Sequence, residues 1–418
     1  MRIAIIGAGI SGLTAAHGLH PRFELTVYER SDRLGGHAHT VAVDDGGVER
    51  RLDTGFLVYN RRDYPQFDAL LTRLEVATQP ASMSFSVRCS RTGLEYSGSG
   101  VLGLFSQWSN VLRPSFLRLA RDVLRFLRQG AAIAARLPAD ATVEDLVRAG
   151  AFSDAFVRWH LLPLGSALWS APPRAFRAYP ARFVMEFLER HDLLQADLSR
   201  RVEWRTIAGG SANYVERLAA PFRDRIRTGS PVRGVRRTAD GVRVRTDAGE
   251  ERHDQVVFAC HGDDALALLD EATDAEREIL GAVRYQPNDV VLHTDPSLLP
   301  RSRRARASWN YHVRADRELA TVTYDLNRLQ GIDSSTRFLV TLNEADAIDP
   351  ARVLRRFRYD HPQYSVDWIR LRGREHLIQG VRNAWFCGAY FGSGFHEDGV
   401  RSANAVVRGI LSGAARAA

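Results

Sequence analysis

Lysine is absent from this 418-residue chain: all 57 basic residues are arginine, against 49 acids, for a formal net charge of +8. Whatever the chemistry, a Schiff base to a lysine, a lysine general base and a lysine-held water are excluded. Cysteine is scarce. Cys89, Cys260 and Cys387 stand far apart with no CxxC and no metal-ligand spacing, which predicts reduced thiols, no metal and a cytoplasmic setting. No stretch approaches the roughly 18–20 uninterrupted apolar residues of a membrane-spanning helix. Ile3 to Ile6 already read as a core strand, so no signal peptide is expected. The arginines are dispersed among acids, so nucleic-acid binding is not expected either. What is present is an ordinary globular composition, 45% hydrophobic and 25% charged, at a length that calls for two domains.

The first 30 residues carry the clearest signal. Arg2 to Ile6 form a short β-branched run suited to a buried parallel strand. Gly7-Ala8-Gly9-Ile10-Ser11-Gly12 follows, then a helix from Leu13 to Leu19, a second strand from Phe23 to Tyr28, and Glu29 at its end. Gly7 permits the tight turn, Gly9 lets a pyrophosphate approach the backbone, and Gly12 lets helix and strand pack closely. The helix start at Ser11 and Gly12 offers unpaired N–H groups to phosphate. Glu29, 17 residues after Gly12, is placed for ribose hydroxyls, with Arg30 beside it.

Two further glycine turns decide between cofactors. Arg33-Leu34-Gly35-Gly36-His37 supplies a second close-approach turn in which Arg33, Gly35 and Gly36 meet the far phosphate. Asp53-Thr54-Gly55-Phe56 supplies another, with Thr54, Gly55 and Phe56 as contacts. A nicotinamide cofactor needs neither turn, whereas noncovalent FAD, which runs past the first domain, needs both. The chain then returns to the nucleotide fold twice. Arg225 to Val235, Gly241 to Thr246 and Gln255 to Ala259 read as strands, with the Val232 backbone at the adenine. Near the end, Ala384 to Cys387 reads as a strand and Gly388 to Gly399 as a glycine-rich loop. A helix beginning at Asp398-Gly399-Val400 would set its N-terminus at the flavin; Asp398 is either a cofactor contact or an ordinary N-cap.

Together these segments resemble the superfamily of flavin-containing amine oxidases, phytoene desaturases and protoporphyrinogen oxidases. Within it the chain is most similar to the bacterial FAD-binding oxidoreductases often encoded beside cyclopropane fatty acid synthases. Leu34-Gly35-Gly36-His37, Asp53 to Asn60, Ala167-Leu168-Trp169-Ser170, Trp204 with Gly209-Gly210-Ser211, Trp309-Asn310-Tyr311, Thr323 to Gln330 and Phe386 to Tyr390 carry the likeness, with Gly394 to Gly399. The resemblance implies an α/β fold in which a Rossmann-like FAD domain (1–75, 222–275 and 376–418) is interleaved with an α+β substrate domain (76–221 and 276–375). It also implies an FAD-dependent oxidoreductase acting on a hydrophobic, fatty-acyl lipid. There are two departures. The lysine that the amine-oxidase branch places at the flavin is missing, and Ala389 follows Gly388 where the superfamily commonly has an acid. Glu397 or Asp398 would then hold the ribityl chain.

On the substrate side, Val290 to His293, Arg304 to Val313, Leu319 to Asn327 and Arg337 to Asn343 read as strands. Ser115 to Arg128 reads as an amphipathic helix with Arg118, Arg121, Arg125 and Arg128 along one face. It either packs on its own core or rests on the inner face of an anionic membrane, taking acyl chains from the lipid. For chemistry the candidates are Tyr59, Asn60, Trp169, His191, Trp309, Asn310, Tyr324, Asn327, His396 and Glu397. His396 and Glu397 precede the loop that should reach the flavin and are the expected proton carriers; Tyr324 is a catalyst or a pocket wall. With one dinucleotide fingerprint, the hydride is expected from the substrate. A double-bond isomerase, an amine oxidase and a noncatalytic flavin protein remain as alternatives.

Overall fold

A computed structural model describes residues 1–98, 101–195, 197 and 200–417. Its nucleotide-side sheet has five parallel strands, in the order Ile226–Arg227, Glu24–Tyr28, Arg2–Ile6, Gln255–Phe258, Ala384–Phe386. Ile3, Ile5, Val257 and Phe258 are fully buried, as strands covered on both faces require. The helix Ile10–Leu19 and the closing helix His396–Ala417 pack together on this sheet. Strands from three separate stretches of chain thus make one sheet, with a small antiparallel sheet, Val232–Thr238, Gly241–Thr246 and Gly249–His253, beside it.

The expected strand from Arg225 to Val235 is corrected into two. Ile226–Arg227 joins the parallel sheet and Val232–Thr238 the antiparallel one. Gly229 at φ 58° and Pro231 part them, because one turns the chain left-handed and the other cannot donate to a ladder.

The second large sheet has seven strands, ordered Val353–Gln363, Arg284–His293, Leu339–Leu342, Val322–Asp325, Trp309–Val313, Phe85–Cys89, Glu95–Ser97. It holds all four strands read from the sequence on this side, but trims three, Arg337 to Asn343 shortening to Leu339–Leu342. Residues 304–308 stay outside the strand Trp309–Val313, and the chain after Val322–Asp325 turns into a short helix, Leu326–Leu329. Asp325 ends that strand because its carboxylate caps the helix, accepting from the Arg328 amide.

A layer of helices covers the other side. Its longest member, Pro114–Arg136, buries Phe116, Leu119 and Phe126 against Tyr96, Phe152 and Phe156. These apolar side chains belong to the protein's own core, as the first of the two readings of this helix has it. Among the described residues, no helix is long and apolar enough to cross a membrane.

Candidate active site

The two glycine turns expected to hold a pyrophosphate meet face to face. Gly7 takes φ +103°, and a methyl group on Gly12 would lie 1.9 Å from the Gly7 carbonyl oxygen. Gly9 and Gly35 form a bridge, and a methyl group on Gly36 would come within 3.2 Å of the Gly9 Cα. Gly9 brings no side-chain cap and the helix has no acid in its first turn. The Ile10, Ser11 and Gly12 amides therefore have no acceptor among the described residues, the condition in which a helix end takes an anion.

Glu29 closes the unit. One of its oxygens accepts from the Ala8 amide and the other from the Ser31 amide, each at 2.8 Å. A carboxylate has about four lone-pair directions, so two remain for ribose hydroxyls.

A cavity of about 650 Å³ opens from this cradle. Gly7, Gly9, Ser11, Glu29, Arg30 and Arg33 line it. So do Gly35, Gly36, Thr54, Gly55, Phe56, Val232 and Gly388. Four expected cofactor contacts do not. Gly12 packs behind the turn, and Gly399 fits where the closing helix crosses Ile10 and Ser11. The closing helix starts at His396, two residues earlier than expected, so Val400 is buried in the core. Asp398 turns back to accept from the Ser393 and Phe395 amides and pairs with Arg401 at 2.7 Å. These four support the cradle from behind.

Glu397 is likewise a brace. Its carboxylate accepts from the Gln66 and Phe67 amides, capping the helix Pro65–Arg73, and does not line the cavity. That corrects the expectation of proton transfer at Glu397, because the group is committed to backbone donors.

His396 does line the cavity, but as a neutral ring. It stacks on Phe56 at 3.7 Å, and burial holds its pKa at about 3. Burial keeps Tyr214 protonated, and its hydroxyl lies 2.9 Å from His396 Nε2. His396 is therefore an uncharged ring, with one N–H donor and one acceptor nitrogen shared between the Tyr214 hydroxyl and the rest of its surroundings.

Of the other chemical candidates, Trp169, Trp309 and Tyr324 line the cavity, whereas Tyr59, Asn60, His191, Asn310 and Asn327 do not. Tyr59 donates to Asp68, and Asn60 accepts from the Asp63 amide. His191 bonds the Phe187 carbonyl, Asn310 holds Ala307 and Thr323, and Asn327 holds Thr336.

The two ends of the cavity differ in charge. Its acids are Glu29, Asp264 and Asp360, all beside the glycine cradle or the His37 turn. Beyond Phe56 the walls are Met83, Leu168, Phe187, Leu193, Trp309 and Tyr324, with no carboxylate among them. Three buried polar atoms without protein partners, His37 Nε2, Tyr390 Oη and Trp309 Nε1, belong to residues that line the cavity. An unpartnered buried polar atom costs about 1–3 kcal/mol, so atoms of this kind along a cavity wall are suited to meeting a ligand.

Sequence reading named Trp309 and Tyr324 but missed the residues that two other strands of the seven-stranded sheet, Arg284–His293 and Val353–Gln363, deliver. Tyr359 Oη bonds Thr54 Oγ1 at 2.7 Å and His39 Nδ1 at 2.8 Å, and Tyr285 stacks on His261 at 4.2 Å. Tyr285, Tyr359 and His361 line the cavity from strands with no motif of their own. One long-range pairing had a visible trace. The buried Asp53 carboxylate accepts from the Ser211 amide and hydroxyl and from Thr40, which ties the Asp53 motif to Gly209-Gly210-Ser211.

The chain matches the flavin containing amine oxidoreductase family over residues 10–411 and belongs to it. Flavin-dependent L-tryptophan oxidase RebO from Lentzea aerocolonigenes is 49% identical over 55 residues, which is 13% of this chain and 12% of that enzyme. Among solved structures, a putrescine oxidase bound to putrescine superposes at TM-score 0.70 with 14% identity, covering 99% of both chains. A CLA-producing fatty acid isomerase from P. acnes superposes at 0.68 with 18% identity, covering 97% of this chain and 98% of that one. The fold is shared with both.

The protein is accordingly an FAD-dependent oxidoreductase. The paired glycine turns, the free helix amides and Glu29 fit the cofactor's diphosphate and ribose. Cys387, fully buried with its thiol pushed up to about 12, stays out of covalent attachment.

Proposed function

We propose that this oxidoreductase takes a hydride from a hydrophobic, fatty-acyl lipid. The observation that carries the reading is the charge-free, apolar far end of the cavity, bounded by Met83, Leu168, Phe187 and Leu193. A cationic amine entering there would meet no carboxylate, and the chain has no lysine to assist it. An acyl chain would lose only apolar hydration, at about 25 cal/mol per Å² buried.

Bound FAD supplies the two-electron acceptor. The residues supply the rest. Trp309 Nε1, buried and unpartnered, and the Tyr324 hydroxyl, which burial keeps protonated, offer donors to a carbonyl or carboxyl head. The aromatic walls exclude water. His396 stays an uncharged ring near neutral pH and takes no proton there. The reading places the protein in the cytoplasm, with peripheral contact at the inner face of the membrane.

Double-bond isomerisation is the second reading. It is favoured by a substrate pocket holding neither a base nor a second nucleotide motif, and by the fold shared with a fatty acid isomerase. Anaerobic mixing with an unsaturated fatty acid in detergent separates the two. Lasting bleaching of the flavin supports oxidation, and transient bleaching with a shifted double bond supports isomerisation. No bleaching by any lipid, with hydrogen peroxide released from amines in air, overturns both.

A further inference from the structure

We propose that an anionic membrane surface docks on the turn Trp108–Leu112 and the outward row of the helix that follows. Five of the eight exposed large hydrophobic side chains among the described residues fall in this short stretch: Trp108, Val111, Leu112, Leu117 and Leu124. Trp108 is 79% exposed and Leu112 85%. They are held out by construction. Asn110, between them, is fully buried, donates to the Glu95 carbonyl and anchors the turn to its own strand. Gln107 fixes the same turn, accepting from the Glu95 amide and donating to the Gly93 carbonyl. The apolar side chains cannot fold inward without breaking these bonds.

Charge selects the occupant. Residues 108–136 hold six arginines and one acid, whereas the whole chain has 57 and 49. The acid, Asp122, is buried and already shared by Arg121 and Arg125. Arg113, Arg118, Arg128 and Arg136 have no carboxylate partner among the described residues. A second copy of the chain would bring the same positive face against this one, so self-association here is opposed. Leu117, Arg121, Leu124 and Arg128 recur along one stripe of the helix, and Trp108 with Leu112 leads it. An anionic interface takes both: apolar tips among the acyl chains, guanidinium groups among the headgroups. The stripe lies opposite the buried side of the helix, Phe116, Leu119 and Phe126.

The surface deepens the lipid reading but is tested without turnover. Holoenzyme is sedimented with phosphatidylglycerol vesicles and with phosphatidylcholine vesicles. Wild type should bind only the first and be released by salt. Trp108→Ser with Leu112→Ser, and separately Arg118→Glu with Arg128→Glu, should each weaken binding by about tenfold or more while the flavin spectrum and Tm stay unchanged. Equal binding by wild type and both variants overturns the proposal. So does binding to neither vesicle, or a dimer that the Trp108→Ser, Leu112→Ser variant dissolves. Vesicle binding without turnover of any lipid defeats the lipid reading alone, and turnover of detergent-dissolved lipid without vesicle binding defeats the docking surface alone.

Discussion

The parallel sheet and the seven-stranded sheet serve one cavity in opposite ways. The parallel sheet contributes backbone: glycine turns, free amides and a carboxylate at a strand end, each fixed within 30 residues of sequence. The seven-stranded sheet contributes side chains, Tyr285, Trp309, Tyr324 and Tyr359, brought together by pairings that span up to hundreds of residues. Binding by main chain constrains residue type tightly, because only glycine fits. A side-chain wall tolerates many sequences and leaves little trace.

This contrast can be broken at either end. The largest effect should come from Gly12→Ala, whose added methyl meets the Gly7 carbonyl oxygen at 1.9 Å. We expect colourless protein with a lowered Tm, the overpacking alone costing about 1–3 kcal/mol; yellow protein at full occupancy would count against backbone binding. Next comes Glu29→Ala, which strands the Ala8 and Ser31 amides and should lose FAD during purification at about 1–3 kcal/mol of local stability. The flavin-to-protein absorbance ratio reads both.

Acid should act at the seam between the sheets. Burial lowers His37, His361 and His396 to about 3 and His39 and His261 to about 4, against 6.5 when unfolded. With folded values below unfolded ones, their contribution is whole above about pH 6.5 and is lost as pH falls toward the folded values, since the unfolded chain binds protons the native one refuses. Asp53, raised to about 6 by burial, works the other way, as do Asp263, Asp325, Glu397 and Asp398, which burial also raises, but among the described residues ten histidines are lowered by burial and outnumber them. Urea midpoints should therefore drop between about pH 7 and pH 5, with flavin released before global unfolding. A midpoint that rises over this range would contradict the buried neutral ring cluster.

The smallest effect belongs to the side-chain wall. Trp309→Phe and Tyr324→Phe remove one donor each and keep the ring, so colour and Tm should hold while KM for an acyl substrate rises about tenfold. Loss of flavin from either variant would show that the two ends are less separable than their chemistry indicates.

Much of the cradle was readable because each part is local. Gly7 to Gly12, Glu29, Gly35, Gly36 and Thr54 to Phe56 announce themselves by residue type and spacing, and all but Ala8 and Gly12 line the cavity. The errors arose where a residue's type allowed two jobs. Glu397 is an acid beside a helix start, and only its packing against Pro65–Arg73 made it a cap instead of a proton carrier; packing against the 393–395 loop turned Asp398, which its type had left open, into a brace. Val353–Gln363 went unread because Arg355, Arg356 and Arg358 hide its strand pattern, although it pairs with Arg284–His293 along its length.

Sequence by itself determined the nucleotide fold, the cofactor and the exclusion of lysine chemistry, because glycine at a close approach and a missing residue type admit no substitute. Tertiary structure alone decided which titratable groups are neutral, which acids are braces and what faces the substrate. Burial and hydrogen-bond partners set those properties, and both come from chain segments that meet only on folding.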